Sequence, residues 1–301
     1  MIAVERVTGL RPRCTRGPHR GRLVLLAPPD SPVPPHFVNV DGNANLHDQL
    51  LDRMQRFRGE LYLAEGAIQP SQIAADGCHR QGVDKQAWHL LMLDQKSTVY
   101  GCSRYTAYPN TVSFSELGVA NCPLATSATW GRRFRAAVES EIDLARQRGV
   151  AYVEVGGWAL APEMRHTAEA LRIALGTYSL AEMLGGCIGI ATATLRHHST
   201  SILRRIGGRS LMASGFELPR YRDSQYGCNM EILCFDSAVP DRRFAVWIDE
   251  MCKDVLTAPV IRGEHSMLRL HEVLTSQGLE GNEKWSPRPH LSPSGMTRVF
   301  G

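Results

Sequence analysis

The run from Glu154 to Ala168 holds the densest set of groups able to do chemistry. A carboxylate, Glu154, is followed by Val155, the pair Gly156-Gly157 and Trp158, and then, past Pro162, by Arg165, His166, Thr167 and Ala168. In a β-rich run, an interior glycine pair weakens or bulges the strand, because glycine packs no side chain and tolerates backbone conformations that other residues avoid. A splayed strand leaves N–H and C=O groups unpaired, and an extended pantetheine arm could pair with them. The turn after Pro162 leads into a helix whose first N–H groups could hold a phosphate beside Arg165 and His166. A glycine-bearing strand and an ordinary surface arginine account for the same residues, and the run alone leaves both readings open.

The elements that must position this run follow from periodicity. Leu46, Leu50, Leu51, Met54, Phe57 and Leu61 recur at helical spacing and predict an amphipathic helix over 46–64, with Gly59 as a point of bending. Two strand-like runs, Trp88 to Leu93 and Thr98 to Tyr105, flank the polar turn Asp94-Gln95-Lys96-Ser97 and predict an antiparallel hairpin. A helix over 128–148 stops at Gly149, and a strand over 151–160 carries the glycine pair. A second long helix runs over 167–184, a buried strand over 187–195 and a short helix over 199–206, ending at Gly207-Gly208. Strands at 210–218 and 227–235 and a helix at 240–256 complete the series. Strands alternating with helices predict an α/β fold around a mixed sheet. The domain organisation is an irregular N-terminal extension over 1–45 with one short strand at Leu23 to Leu26, a main domain over 46–239, and a C-terminal helix with a flexible tail over 240–301.

Composition narrows the class. Hydrophobic residues make up 43% and charged residues 21% of the 301, the proportions of a soluble globular enzyme. A net charge of +4, with acidic residues interleaved, gives no basic stripe for nucleic acid. Part of the excess is the N-terminal cluster Arg6, Arg11, Arg13, Arg16, Arg20 and Arg22, read as a solvated tail. The 8 cysteines form no Cys-x-x-Cys pair, which argues against a zinc site or disulfide framework and for a reduced, cytoplasmic setting. The apolar run Leu23 to Ala27 is too short for a membrane span. No metal site, no tightly bound cofactor and no membrane span are expected. His197 and His198 face different directions at a helix start and read as polar caps, and Cys228 lacks the base and electropositive setting of a nucleophile.

Strand, loop, helix, buried strand and the short helix ending in Arg204-Arg205-Ile206-Gly207-Gly208 together resemble the acyl-donor core of GNAT acyltransferases over about residues 46–236. Within that superfamily the chain is similar to N-acyl amino acid synthases and acyl-homoserine lactone (autoinducer) synthases. Arg58, Tyr62, Glu65 and Gly66 are similar to their Arg-x-x-x-aromatic entry motif. Asp84 before Trp88-His89-Leu90 resembles their acidic loop, Gly101-Cys102-Ser103-Arg104 their Gly-Cys-x-Arg strand, and Glu154 their strand glutamate. The resemblance implies a GNAT-like mixed twisted sheet with flanking helices and a splayed central strand. Two positions depart from it: Gly157 stands where the lactone synthases carry an arginine, and Leu203 where the GNAT tyrosine acid falls. The phosphate-loop glycines are also absent from Arg165 to Ala168, so pantetheine on an acyl carrier protein is as good a donor as free acyl-CoA.

What the resemblance implies for function is transfer of an acyl group from an acyl carrier protein or acyl-CoA thioester to the amine of an amino acid or similar small amine. Such aminolysis needs a neutral amine, a proton route and donors aimed at the developing oxyanion. Glu154 is the implied base and Arg104 its partner or the acceptor's orienting group. Arg58, Asp84 and Tyr62 line the implied acceptor cleft; Val155, Gly156, Gly157, Trp158, Arg165, His166, Thr167 and Ala168 hold the donor. Arg196, Arg204, Arg205 and Arg209, with Arg165, form a basic surface for an acidic carrier protein. An acetyl-CoA-dependent N-acetyltransferase and a GNAT-like module that binds an acyl thioester without turnover are the alternatives.

Overall fold

The computed structural model describes residues 21–263, apart from 30 and 110. The N-terminal arginines up to Arg20 and the tail beyond 263 lie outside the described residues. In chain order the elements are β1 (Arg22–Ala27), β2 (Val40–Asp41), α1 (Ala44–Ala64), β3 (Trp88–Leu93), β4 (Val99–Tyr108), α2 (Gly131–Arg148), β5 (Ala151–Leu160) and α3 (Glu169–Met183). They continue with β6 (Cys187–Thr194), α4 (Ser199–Arg205), β7 (Arg209–Ser210), β8 (Met212–Ala213), β9 (Phe216–Glu217), β10 (Tyr221–Asp223), β11 (Cys228–Asp236), α5 (Ala245–Thr257) and β12 (Val260–Arg262).

The fold is α/β, with a mixed ten-stranded sheet in the order β10-β11-β6-β5-β4-β3-β1-β12-β2 and β7 paired to β11. On one face, α1 buries Leu50, Leu51 and Met54 against Leu91, Leu93 and Cys102, and α2 buries Phe134, Val138 and Ile142 against Tyr152, Ile188 and Ile190. On the other, Ile173, Leu175 and Leu180 of α3 pack with Leu90, Met92 and Val153 in a core that also takes Ile248, Met251 and Val255 of α5. These stripes recur at the helical period in the sequence, which is why the helices were legible from it. Among the described residues no helix is long and apolar enough to cross a membrane.

The structure revises the organisation at three places. The sheet extends beyond 46–239: β1 is an inner strand between β3 and β12, five of its six residues are buried, and β12 pairs with it in parallel. Helix α1 runs unbroken to Ala64, and Gly59 serves close packing, since a Cβ there would come within 2.9 Å of His79 and Ile73. The single strand expected over 210–218 is instead β7 and the hairpin β8–β9. Its two-residue turn, Ser214-Gly215, has φ of 49° and 83°, the geometry that reverses a strand tightly.

The splay expected at the glycine pair is present. Strand β5 pairs with β6 in parallel only from Ala151 to Val155, whose partner is Ala191. Beyond that point β5 follows β4, with a register shift opposite Arg104. Gly157 has φ +59°, and a Cβ on it would lie 3.1 Å from the Arg104 Cβ, so the kink that turns β5 away from β6 depends on a residue without a side chain.

Candidate functional site

A cavity of about 870 Å³ occupies the opening where β5 leaves β6. Side chains opposite one another in adjacent strands share a face, and the cavity is lined from both faces. On the α1/α2 side its lining carries Gln81, Arg104, Tyr108, Glu154, Asp223 and Tyr226 beside apolar residues such as Leu117, Val119 and Met230. On the α3/α4 side it is apolar, with Val153, Ala174, Ala181, Ala191, Ile202 and Phe235. The cavity thus passes through the sheet at the splay, with charged side chains on its α1/α2 side and a largely apolar wall on its α3/α4 side.

Of the four charged residues expected to gather, the structure brings three together. Arg58 Nη1 and Nη2 donate to Asp84 Oδ1 and Oδ2 at 3.0 and 2.7 Å, and Nη2 also donates to the His79 carbonyl at 2.7 Å. Asp84 further accepts from Gln55 Nε2 at 3.0 Å, the Gln81 amide at 3.1 Å and Arg104 Nη1 at 3.0 Å. Neither Arg58 nor Asp84 lines the cavity, and both side chains are 0% exposed. They are the buried support of the site and do not meet an acceptor, which corrects the expectation from sequence. Burial disfavours the charge on Asp84, but the hydrogen bonds and charge of Arg58, together with Arg104, outweigh it and hold the carboxyl well below the usual range.

Arg104 is the member of the group that reaches the cavity. Its Nη1 is held by Asp84 and by Gln81 Oε1, whereas its Nε is buried with no hydrogen-bond partner. Nη2 faces Gly156, where an added Cβ would lie 3.4 Å away. One side of the guanidinium is thus fixed, and Nη2, which makes no hydrogen bond among the described residues, is the nitrogen left to meet a ligand. Tyr62 stands beside it, donating to the Trp158 carbonyl at 3.2 Å, and burial raises its phenol pKa above the ordinary value.

Glu154 lines the same chamber but does not pair with Arg104. Its Oε2 accepts from Tyr108 Oη at 2.5 Å and from the Gly118 amide at 2.8 Å, and Oε1 accepts from the Val119 amide at 2.9 Å. The carboxylate thereby pins the segment 115–122, most of which lines the cavity, to the edge of β5. Three donors already occupy the oxygens that a base would use.

Among the residues expected to hold a donor, Val155, Gly156, Gly157, Trp158 and Arg165 line the cavity and His166, Thr167 and Ala168 do not. Arg165 is ion-paired with Glu65, and α3 opens on Glu169, whose carboxylate accepts from Tyr100 Oη at 2.8 Å. An acidic first turn is an unfavourable phosphate site. The expected basic surface is largely spent within the molecule. Arg196 donates to the Glu65 and Gly227 carbonyls at 2.7 and 3.2 Å, Arg204 pairs with Glu231, and Arg209 grips Glu141 at 3.1 and 2.8 Å. Arg205 remains exposed. Reversing Arg204 would therefore test the fold rather than docking.

Sequence reasoning missed Gln81, Tyr108, Asp223 and Tyr226. Asp223-Ser224-Gln225 carries an Asx-turn signal, and the Asp223 side chain does accept from the Gln225 and Tyr226 amides at 2.9 and 3.1 Å. Nothing local, however, says that this turn faces β5 across a gap. Among the described residues no three metal-ligating side chains converge.

No family model matches the chain, and no curated protein is similar to it in sequence. Solved structures similar to it include BjaI, described as a CoA-dependent acyl-homoserine lactone synthase with SAM and isopentyl-CoA, at 14% identity over 84% of this chain and 99% of that one, with a TM-score of 0.49. The N-acyl amino acid synthase FeeM from uncultured soil microbes is similar at 13% identity, over 72% and 92%, with a TM-score of 0.40. The acyl-homoserine lactone synthase LasI is similar at 15%, over 63% and 84%, with a TM-score of 0.39.

Proposed function

We propose that the protein is an N-acyltransferase that moves an acyl group from a pantetheine thioester, on coenzyme A or a carrier protein, to the amine of an amino acid or similar small amine. The observation that supports this most is the cavity through the splay, with its charged side chains on one face of the sheet and a largely apolar wall on the other. A thioester carbonyl at the opening would have its chain under α3 and its acceptor beside Arg104, and the backbone N–H groups that β5 no longer shares with β6 would be the donors to its oxyanion. An amino-acid carboxylate would take Nη2 of Arg104. An acetyl group alone would leave the apolar side unfilled, which disfavours the acetyl-CoA reading. Leu203, where a tyrosine acid would stand, favours a second reading as a binding module without turnover. Incubating the protein with radiolabelled acyl carrier protein or acyl-CoA and mixed amino acids tests both: labelled acyl amide supports transfer, and retained thioester supports binding alone.

The apolar wall also sets a length. From Ala191 to Cys187 the strand spans roughly 13 Å at about 3.3 Å per residue, the length of a chain of about ten carbons. Ala181, 4% exposed on α3, lines the cavity close to the start of β6, its carbonyl accepting from the Gly186 amide at 2.9 Å. Ala181→Phe should abolish use of decanoyl donors and spare butanoyl ones, read as the ratio of kcat/KM across an acyl series. An unchanged ratio would put the chain elsewhere.

A further inference from the structure

On the acyl-transfer reading, we propose that Asp223, and not Glu154, is the carboxylate that takes the proton of the attacking amine. Asp223 ends β10 at the edge of the sheet, is 7% exposed and lines the cavity. Its Oδ1 accepts from the Gln225 and Tyr226 amides, which fix the side chain, and its Oδ2 accepts no hydrogen bond among the described residues. Glu154 has the opposite character, with three donors on its two oxygens.

The turn after Asp223 is tied across the mouth of the splay. Arg196 bridges the Glu65 carbonyl at the end of α1 to the Gly227 carbonyl, and Tyr226 meets Tyr62 edge-on with ring centroids 6.5 Å apart. Burial raises the Tyr226 phenol pKa, Arg104 lowers it and Asp223 raises it, so both charges act on one hydroxyl. Arg104 and Asp223 thus present a cation and an anion to the same chamber, the complement of an amino acid's carboxylate and amine.

The step balances with these groups alone. The amine lone pair forms the C–N bond to the thioester carbon, and the carbonyl π electrons pass to oxygen. Nitrogen, now cationic, gives its proton to Asp223 Oδ2. Collapse of the oxyanion breaks the C–S bond, and the departing thiolate takes up that proton, leaving amide and free thiol.

The test uses the full chain with decanoyl-CoA and decanoyl acyl carrier protein, and mixed amino acids as acceptors. Asp223→Asn keeps the Oδ1 acceptor of the turn and removes the charge. It should bind decanoyl-CoA as the wild type does and lose about 100-fold to 10,000-fold in kcat. Formate should restore part of the rate of Asp223→Gly, which a structural role would not permit. Near-normal kcat in Asp223→Asn, or a folded Glu154→Gln that alone loses turnover, overturns the assignment. Absence of acyl transfer by the wild type with either donor would instead sink the acyl-transfer reading, and this role with it.

Discussion

On the acyl-transfer reading, Arg104→Ala should raise the KM for an amino-acid acceptor by about 10-fold to 150-fold, the equivalent of a charged hydrogen bond of roughly 1.5–3 kcal/mol, and much of the rate should return at saturating acceptor. The guanidinium is anchored through Nη1 to Asp84 and Gln81, while Nη2 makes no hydrogen bond among the described residues, so on that reading its loss removes the acceptor's orienting group and leaves the Arg58–Asp84 pair standing. Arg104→Lys should rescue poorly, because an ammonium cannot hold Asp84 and a second carboxylate in one plane. Leucine and 3-methylbutylamine give the cleanest comparison. The wild type should prefer leucine, and the alanine variant should treat the two alike. A wild type indifferent to the carboxylate would remove Arg104 from acceptor recognition.

The largest loss of stability should come from Asp84→Ala. Removing one partner of a buried ion pair strands the other, at a cost of about 3–5 kcal/mol, against a total stability of about 5–15 kcal/mol for a typical protein. Arg58 would be left 0% exposed with only the His79 carbonyl and no carboxylate. Urea unfolding should show a lower midpoint with little change in slope, and Arg104→Ala should show much the smaller shift. The pH dependence follows from the same network. Asp84 titrates lower in the folded state, so its contribution is complete above the ordinary aspartate value of about 3.9 and is lost only as pH falls through the folded value. His89, whose Nε2 lies 2.8 Å from the Asp84 carbonyl, is pushed by burial down to about 4. Its contribution is present above the unfolded value of about 6.5 and is lost as pH falls from there toward about 4, because the unfolded imidazole takes a proton that the folded one refuses. Stability should therefore begin to decline below about pH 6.5, and His89→Gln should reduce that first decline.

How much of this was legible in the sequence depended on the range of the interaction. Helical stripes, the turn at Asp94-Gln95-Lys96-Ser97 and the glycine pair are local signals, and each led to the right element. Residues whose role is set by strands far apart in sequence were misassigned. Arg58 and Asp84 stand at the positions the resemblance picked out, but only the packing of α1 against β4 buries them beneath Arg104. Glu154 stands at the expected strand position, yet the Gly118 and Val119 amides that occupy it belong to a loop with no strong signal. Asp223 gave no signal beyond its turn because the role proposed for it depends on the gap it faces.

The pairing of β1 with β12 has a consequence for how the protein is made. During synthesis, N-terminal residues emerge first, at about 5–20 residues per second, so β1 waits roughly 10 to 50 seconds for the strand that covers its far edge. Through that interval Leu25 and Leu26, both fully buried in the finished sheet, border an open line of backbone donors and acceptors. Such an edge templates contacts between nascent chains. The yield of native protein from the ribosome should therefore respond to temperature and to holding chaperones more than its final stability would suggest, and slowing intermolecular encounter rather than strengthening the core should be the effective remedy.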